Sequence, residues 1–293
     1  MSRNNPKPVS MNEFVKSHGL GNEYIVLDSE TINFQLTTDM IKILCNVHFG
    51  IGSDGILLKV PSEKAEFGLR IFNPDGSEAE KSGNGLRIFS KYLYDYKFAT
   101  QKSFTIETLG GIVQSHVIDE KNEKAMMIKV DMGKAIFQSR EIPVNSDLDL
   151  FFNQPLQVGN KQFNVNCVSV GNPHCVVIVD ELNIEEIKTY GPLIENHPLF
   201  PNRINVQFVK PVSQDEVEIL IWERGAGYTL ASGSSSSAVA TVVKKLGLVG
   251  NKIKVNMPGG VLHLEIDDAW NIQMTGPVME VARGTLSDET IKS

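Results

Sequence analysis

Two stretches decide how this chain is read: LRIFNPDGSEAEKSGNG at residues 69–85 and ILIWERGAGYTLASGSS at residues 219–235. Each is a short apolar run, a polar corner, and a Ser-Gly pair that opens a helix-like pattern. Asn73 and Glu223 stand 150 positions apart, and so do Ser82 and Ser232. The same offset joins Asn22 in GNEYIVLD to Asn172 in GNPHCVVIVD. Gly110-Gly111 answers Gly259-Gly260 at an offset of 149, and IKVDMG from Ile128 resembles IQMTG from Ile272. Gly-Asn and Gly-Gly are common turn dipeptides, and one match would mean nothing more. Four matches in the same order, three at nearly one offset, mean duplication.

The duplication sets the expected architecture: an α+β fold of two pseudo-symmetric domains, each a mixed β-sheet wrapped around a central α-helix. β-rich runs at Tyr24–Leu27, Leu69–Phe72, Phe104–Glu107 and Ile112–Ile118 are punctuated by Gly, Pro and Asn. One helix is expected from Ser82, carrying Leu86, Ile88, Phe89, Tyr92 and Leu93. Its counterpart from Ser232 carries Ala238, Val239, Val242, Val243 and Leu246 and has no charge before Lys244. A helix apolar over most of its circumference is a buried one. The halves are expected at residues 1–127, joined by a C-terminal strand at 276–293, and at 128–275. The polar stretch Ser139–Gln154 reads as the connection, and the polar head Met1–Met11 as disordered.

Composition narrows the function. The 28 basic against 35 acidic residues give a formal net charge of −7, which argues against a general nucleic-acid binder. No apolar run is long enough for a membrane span. The three cysteines, Cys45, Cys167 and Cys175, form no C-x-x-C pair, which fits a reduced, cytoplasmic protein. No His, Cys and carboxylate set has metal-ligand spacing, so no metal is expected.

A helix start leaves unpaired N–H groups and a partial positive charge. Serine followed by glycine lets an anion approach those amides. Capping alone accounts for either motif taken singly. Two equivalent starts suit a small-molecule site of two-fold character. A reactive side chain on each side of one carbon could remove a proton from one face and deliver one to the other, inverting a stereocentre.

The segments HGLGNEYIVLD, GIGSDGILL, RIFNPDGSEAEKSGNGLR, VGNPHCV, RINVQFV and WERGAGYTLASGSSSSA resemble those of diaminopimelate epimerases, from about Phe14 to Gly284. That family works without pyridoxal phosphate or any other cofactor. The resemblance implies that the last strand, near Gly276–Gly284, crosses back to the first domain. It also implies that Asn22, Asn73, Asn172, Asn205, Glu223 and Arg224 bind substrate, most of them at its distal amino-carboxylate end. Gly83, Asn84, Gly233 and Ser234 would receive the reacting α-carboxylate. The chemistry agrees: guanidinium pairs with carboxylate, while amide and carboxylate oxygens accept from ammonium. His174 would lie beside the pocket, and Tyr228 would either face it or pack. Asp54 reads as a turn residue, and His18 has no assigned role.

The sequence departs from the family at the chemistry itself. The resemblance implies an acid–base pair of cysteines, one at each helix start, where this chain has Ser82 and Ser232. Three readings stay open: a Cys→Ser pair introduced to trap substrate, a natural homologue with slow or altered chemistry, or a binding module descended from the enzyme. An epimerase of another amino acid is the remaining enzymatic alternative. The expected partner is a small amino-acid substrate, and a homodimer is the default for a soluble enzyme.

Overall fold

The computed structural model describes residues 10–291; the expectation for the head falls mostly on residues 1–9, outside the described residues. Contacts divide the chain into two compact units. One holds the described residues up to Val130 and again from Gly276; the other is Asp131–Thr275.

The first unit runs β1 (Glu13–Gly19), β2 (Asn22–Asp28), α1 (Thr38–Cys45), β3 (Ile56–Val60), β4 (Phe67–Phe72), β5 (Glu78–Ala79), α2 (Gly83–Asp95), β6 (Ser103–Thr108), β7 (Gly111–Lys121) and most of β8 (Lys124–Lys134). The second runs β9 (Gln154–Val158), β10 (Lys161–Ser169), β11 (Pro173–Ile178), α3 (Ile184–Glu195), β12 (Asn205–Ser213), β13 (Glu216–Glu223), β14 (Gly227–Thr229), α4 (Gly233–Lys245), β15 (Lys252–Met257), β16 (Gly260–Ile266) and β17 (Asn271–Pro277). Then β18 (Met279–Thr285) pairs antiparallel with β1, and a single turn, α5 (Asp288–Ile291), follows.

The duplication read in the sequence is a duplication of topology. In the first unit β1–β2 is antiparallel, β2–β3 parallel, β3–β4 antiparallel, β4–β6 parallel and β6–β7 antiparallel. In the second, β10–β11, β11–β12, β12–β13, β13–β15 and β15–β16 repeat that series in the same order. The shared Gly-Asn dipeptides have a backbone cause: Gly21 and Gly171 turn one strand into the next at φ of +87° and +101°, where a side chain would be strained.

In each unit two helices pack against the strands. In the first, α2 packs on β1, β2 and β7, while α1 belongs to a second cluster with Ile25, Leu27, Ile56 and Leu58. That explains why β2 and β3 are apolar without alternation: both of their faces are covered. In the second unit α4 packs on β10, β11, β12, β15 and β16, and α3 lies against a cluster built on Phe163, Val165, Val206 and Phe208.

Helix α2 is buried at every residue from Gly83 to Leu93, although it carries Arg87 and Lys91. Lys91 is tolerated because its ammonium donates to the Ala125 carbonyl at 2.7 Å and pairs with Asp95 at 2.8 Å. Helix α4 is buried from Ser235 to Val243. Its serines fold their hydroxyls back on the preceding turn: Ser236 donates to the Ser232 carbonyl and Ser237 to that of Gly233.

Three expectations need correction. Ser139–Gln154 is not a linker, because Ile142, Val144 and Phe151 are buried in the core of the second unit. Leu246 is not a core residue; it follows the last turn of α4 and is 36% exposed. The run at Ile112–Ile118 extends to Lys121, and both of those isoleucines face solvent.

Leu86 is fully buried in the middle of α2. Leu86→Ala should cost about 2–5 kcal/mol, the range for a core leucine truncated with little collapse. Denaturant unfolding at constant slope measures it; a cost under about 1 kcal/mol would mean that α2 is not the centre of its unit.

Candidate functional site

The two helix starts are built alike. Ser82 has φ −139° and ψ 117°, and its hydroxyl accepts from the Gly85 N–H at 3.0 Å. Ser232 has φ −151° and ψ 129°, and its hydroxyl accepts from the Ser235 N–H at 3.3 Å. Both are N-caps in extended backbone, each occupying one of the helix's orphan donors. Gly83 and Gly233 follow as the first helical residues. They keep the remaining amides unobstructed by a side chain.

Around Ser82 the polar groups form a directed chain. Arg87, fully buried, donates through Nη2 to Asn84 Oδ1 at 2.7 Å. Asn84 Nδ2 donates to Asn22 Oδ1 at 3.1 Å, and Asn22 Nδ2 donates to Asp54 Oδ2 at 2.8 Å. Asp54 also accepts from the Glu23 N–H at 2.9 Å. Cation at one end and carboxylate at the other fix which way both amides point. Burial pulls the Arg87 guanidinium down to about 9, still charged at neutral pH. Asp54 is therefore more than a turn residue; it orients Asn22. Tyr24 was not singled out from the sequence, yet its phenol oxygen lies 3.2 Å from Ser82 Oγ. Asn73 stands apart from this chain: its Nδ2 donates to Ser77 Oγ at 3.0 Å across the 73–77 turn.

Around Ser232 the arrangement differs. Ser234 Oγ lies 3.4 Å from Ser232 Oγ. Asn172 Oδ1 lies 2.8 Å from His174 Nε2. His174 is fully buried, and its pKa falls to about 3: burial is the main cause, the Arg224 charge adds to it, and a contact with Gln207 opposes it. The imidazole is thus neutral at pH 7, and its Nε2–H donates to the Asn172 oxygen. Gln207 Nε2 donates to Ser235 Oγ at 3.0 Å, at the start of α4's continuous buried stretch.

Asn205 Oδ1 accepts from the Arg224 N–H at 3.0 Å, and its Nδ2 donates to the Pro173 carbonyl at 2.8 Å. It thereby ties β12 to the corner that carries Arg224 and to the first residue of β11. Glu223 ends β13 opposite Gly227, and Arg224 Nη1 donates to the Asn202 carbonyl at 3.0 Å. This corner has an anchor that the sequence did not announce. The buried Glu195 carboxylate accepts from Arg203, from Trp222 Nε1 at 2.8 Å and from the Gly225 N–H at 2.9 Å. Tyr228 packs on the core of its unit with Lys188 over its ring at 5.6 Å. His18 accepts from the Gly21 N–H in the β1–β2 turn.

The cysteines offer no substitute for the serines. All three are buried, and none opens a helix. Burial, with the Asp54 charge adding, pushes the Cys45 thiol up to about 11, and burial also raises Cys167, which faces Cys175 across β10 and β11. Among the described residues, no three His, Cys, Asp or Glu side chains are grouped to hold a metal ion, and no helix is long and apolar enough to cross a membrane.

A family model described as diaminopimelate epimerase matches residues 14–138 and 166–281. "Diaminopimelate epimerase 2" of Nostoc sp. is 51% identical over 278 residues, covering 94% of this chain and 96% of that protein. The diaminopimelate epimerase of Halothermothrix orenii is 42% identical over 93% of this chain and 97% of its own length. Among solved structures, a probable proline racemase from Agrobacterium radiobacter K84 superposes with a TM-score of 0.71 at 13% identity, over 94% of this chain and 93% of that one. A hydroxyproline epimerase from Agrobacterium vitis gives 0.70 at 14% identity, over 94% and 90%. Those two show a shared fold of duplicated sheet-and-helix units. Matched across both repeats, and at these identities over nearly the whole length of its relatives, the chain belongs to the diaminopimelate epimerase family.

Proposed function

We propose that this chain acts on diaminopimelate, interconverting the LL and meso forms by proton transfer at the α-carbon without a cofactor. The observation that carries this reading is the joint retention of the binding set. Arg224 stands at a corner held by Glu195 and Asn205, and Asn22 and Asn84 are oriented by Asp54 and Arg87. A chain drifting to a substrate without a second amino-carboxylate would have no use for Arg224 and its ordered asparagines. Arg224, Glu223, Asn73, Asn172 and Asn205 take the distal amino-carboxylate end in this reading. Gly83, Asn84, Gly233 and Ser234 take the α-carboxylate at the helix starts, where backbone N–H groups and the helix dipole favour an anion. Ser82 and Ser232 occupy the acid–base positions. His174, neutral and buried, holds Asn172 rather than carrying charge. The protein works in the cytoplasm, as a homodimer, on a small molecule and apart from nucleic acid and membrane.

The paired serines favour a second reading. A serine hydroxyl is a far weaker acid than a thiol, whose reference pKa is about 8.5. In that reading the chain binds diaminopimelate and turns it over slowly or not at all. Proton exchange at the α-carbon in D₂O, measured beside calorimetric binding, separates the two.

Arg224→Ala removes a charge-assisted hydrogen bond worth about 1.5–3 kcal/mol. Diaminopimelate binding should therefore weaken roughly 10- to 150-fold. Lysine, which lacks the distal carboxylate, should lose far less. Equal losses for both ligands in calorimetric titration would remove the distal-site assignment and point to another amino acid.

The double change Ser82→Cys, Ser232→Cys should raise conversion of LL- to meso-diaminopimelate by about 100-fold or more, the range of general acid–base catalysis. Binding should survive, because both helix starts still present their amides. Chromatographic resolution of the two stereoisomers reads the result. A double-cysteine protein that binds diaminopimelate and stays inert would establish the binding-module reading instead.

A further inference from the structure

The serines stand in unequal surroundings, and the repeat itself supplies the comparison. At the 150-residue offset that joins Asn22 to Asn172, Tyr24 is the counterpart of His174. Each follows its asparagine by two positions. His174 turns its Nε2 to Asn172 at 2.8 Å. Tyr24 instead places its phenol oxygen 3.2 Å from Ser82 Oγ. Ser82 Oγ already accepts from the Gly85 N–H at 3.0 Å, so a phenol and a helix-start amide converge on one hydroxyl. Among the described residues, Ser232 Oγ meets the Ser235 N–H at 3.3 Å and the Ser234 hydroxyl at 3.4 Å, and no phenol.

The tyrosine is held firmly. It is 7% exposed, on a strand covered on both faces. A Cβ at Gly55 would lie 2.8 Å from Tyr24 Cε1, so the ring lies flush against the bare backbone of Gly55. The Ile25 N–H donates to the Gly55 carbonyl at 3.1 Å and fixes the strand beside it. A side chain so confined has few rotamers to lose when it serves a neighbour.

We propose that Tyr24 is a positioning residue for Ser82 that makes the serine hydroxyl competent to move a proton. This rests on the reading that Ser82 sits at an acid–base position. In the donating direction Ser82 gives its hydroxyl proton to the substrate α-carbanion. The Oγ–H bond breaks and the Cα–H bond forms. The Tyr24 phenol proton passes to Oγ, leaving a phenolate that water reprotonates. In the abstracting direction the phenolate takes the Ser82 proton as Oγ takes the α-proton. A phenol, with a reference pKa of about 10, is far more easily ionised than a serine hydroxyl. The pair therefore narrows the gap that replacing a thiol by an alcohol opens. The half of the reaction carried by Ser82 is supported in this way; that carried by Ser232 has no phenol.

The test is a two-by-two set: Tyr24→Phe in the native chain and in a Ser82→Cys background. α-Proton exchange of LL-diaminopimelate in D₂O is followed by mass spectrometry, with binding measured by calorimetry. In the native chain Tyr24→Phe should lower the rate of exchange about 10- to 100-fold, toward the lower range of general acid–base effects. The dissociation constant should stay within about twofold, because Phe keeps the packing against Gly55. In the Ser82→Cys background, where the thiol ionises without help, the same change should cost no more than about threefold. Equal losses in both backgrounds would make Tyr24 a packing residue and overturn the proposal. So would no loss in the native chain. A native chain that binds diaminopimelate without exchange, but converts it once both serines are cysteine, overturns this proposal and leaves the proposed function standing. A chain that neither binds diaminopimelate nor converts it as the double cysteine overturns the proposed function itself.

Discussion

The start of a buried helix is the constraint on which each unit depends. The first N–H groups of α2 and α4 have no partner within the helix, and burial denies them water. Ser82 and Ser232 each answer one of those donors. Serine belongs to the best N-capping residues, and cysteine does not. A serine in this place therefore suits the fold at least as well as the thiol that the resemblance implies, while it is far poorer as an acid or base. Stability and chemistry pull in opposite directions at the same two atoms. At both serines the structural demand is met by the cap; in the proposed function the chemical one falls to neighbours.

How those neighbours are arranged follows from covered sheets. With helices on both faces, the central strands have no exposed face on which to place polar groups. Their polar side chains gather at strand ends, where Asn22, Asn172, Asn205 and Glu223 all lie or adjoin. Buried polar groups must then satisfy one another. In the first unit a one-way series runs from the buried Arg87 and Asn84 through the half-buried Asn22 out to the exposed Asp54. In the second, His174 holds Asn172 through Nε2, and the Glu195 carboxylate collects Arg203, Trp222 and the Gly225 N–H. Such networks are costly if broken and rigid if complete. Rigid amides of known orientation are what stereospecific recognition of an amino-carboxylate requires.

What the sequence made legible was whatever recurs. The offset of 150 located both helix starts, the paired Gly-Asn turns and the strand series, because equal backbone demands leave equal residues. Helix burial was legible from apolar content. Less legible were residues whose work is tertiary. Asp54 looks like a loop residue because nothing nearby in sequence shows that Asn22, 32 positions away, would reach it. Glu195 sits at the end of α3 and serves a corner 30 residues on. Ser139–Gln154 looked like a linker because its polar majority hid the three apolar side chains that enter the core. Tyr228 drew notice for its place in the motif, but its ring packs on the core of its unit, and the phenol beside a helix-start hydroxyl is that of Tyr24.

The pairing of Tyr24 with His174 gives the duplication a further meaning. Once a chain is doubled, each copy is free to solve the same local problem with different chemistry. Backbone turns and caps must stay alike, since topology depends on them. The side chain two residues beyond each asparagine is under no such demand. One copy carries an imidazole that burial keeps neutral and that holds an amide. The other carries a phenol set against a serine hydroxyl. Inverting a stereocentre needs unlike events on its two faces, one proton leaving and one arriving. A symmetric scaffold with unlike side chains at equivalent positions can supply that difference without altering the fold that presents them.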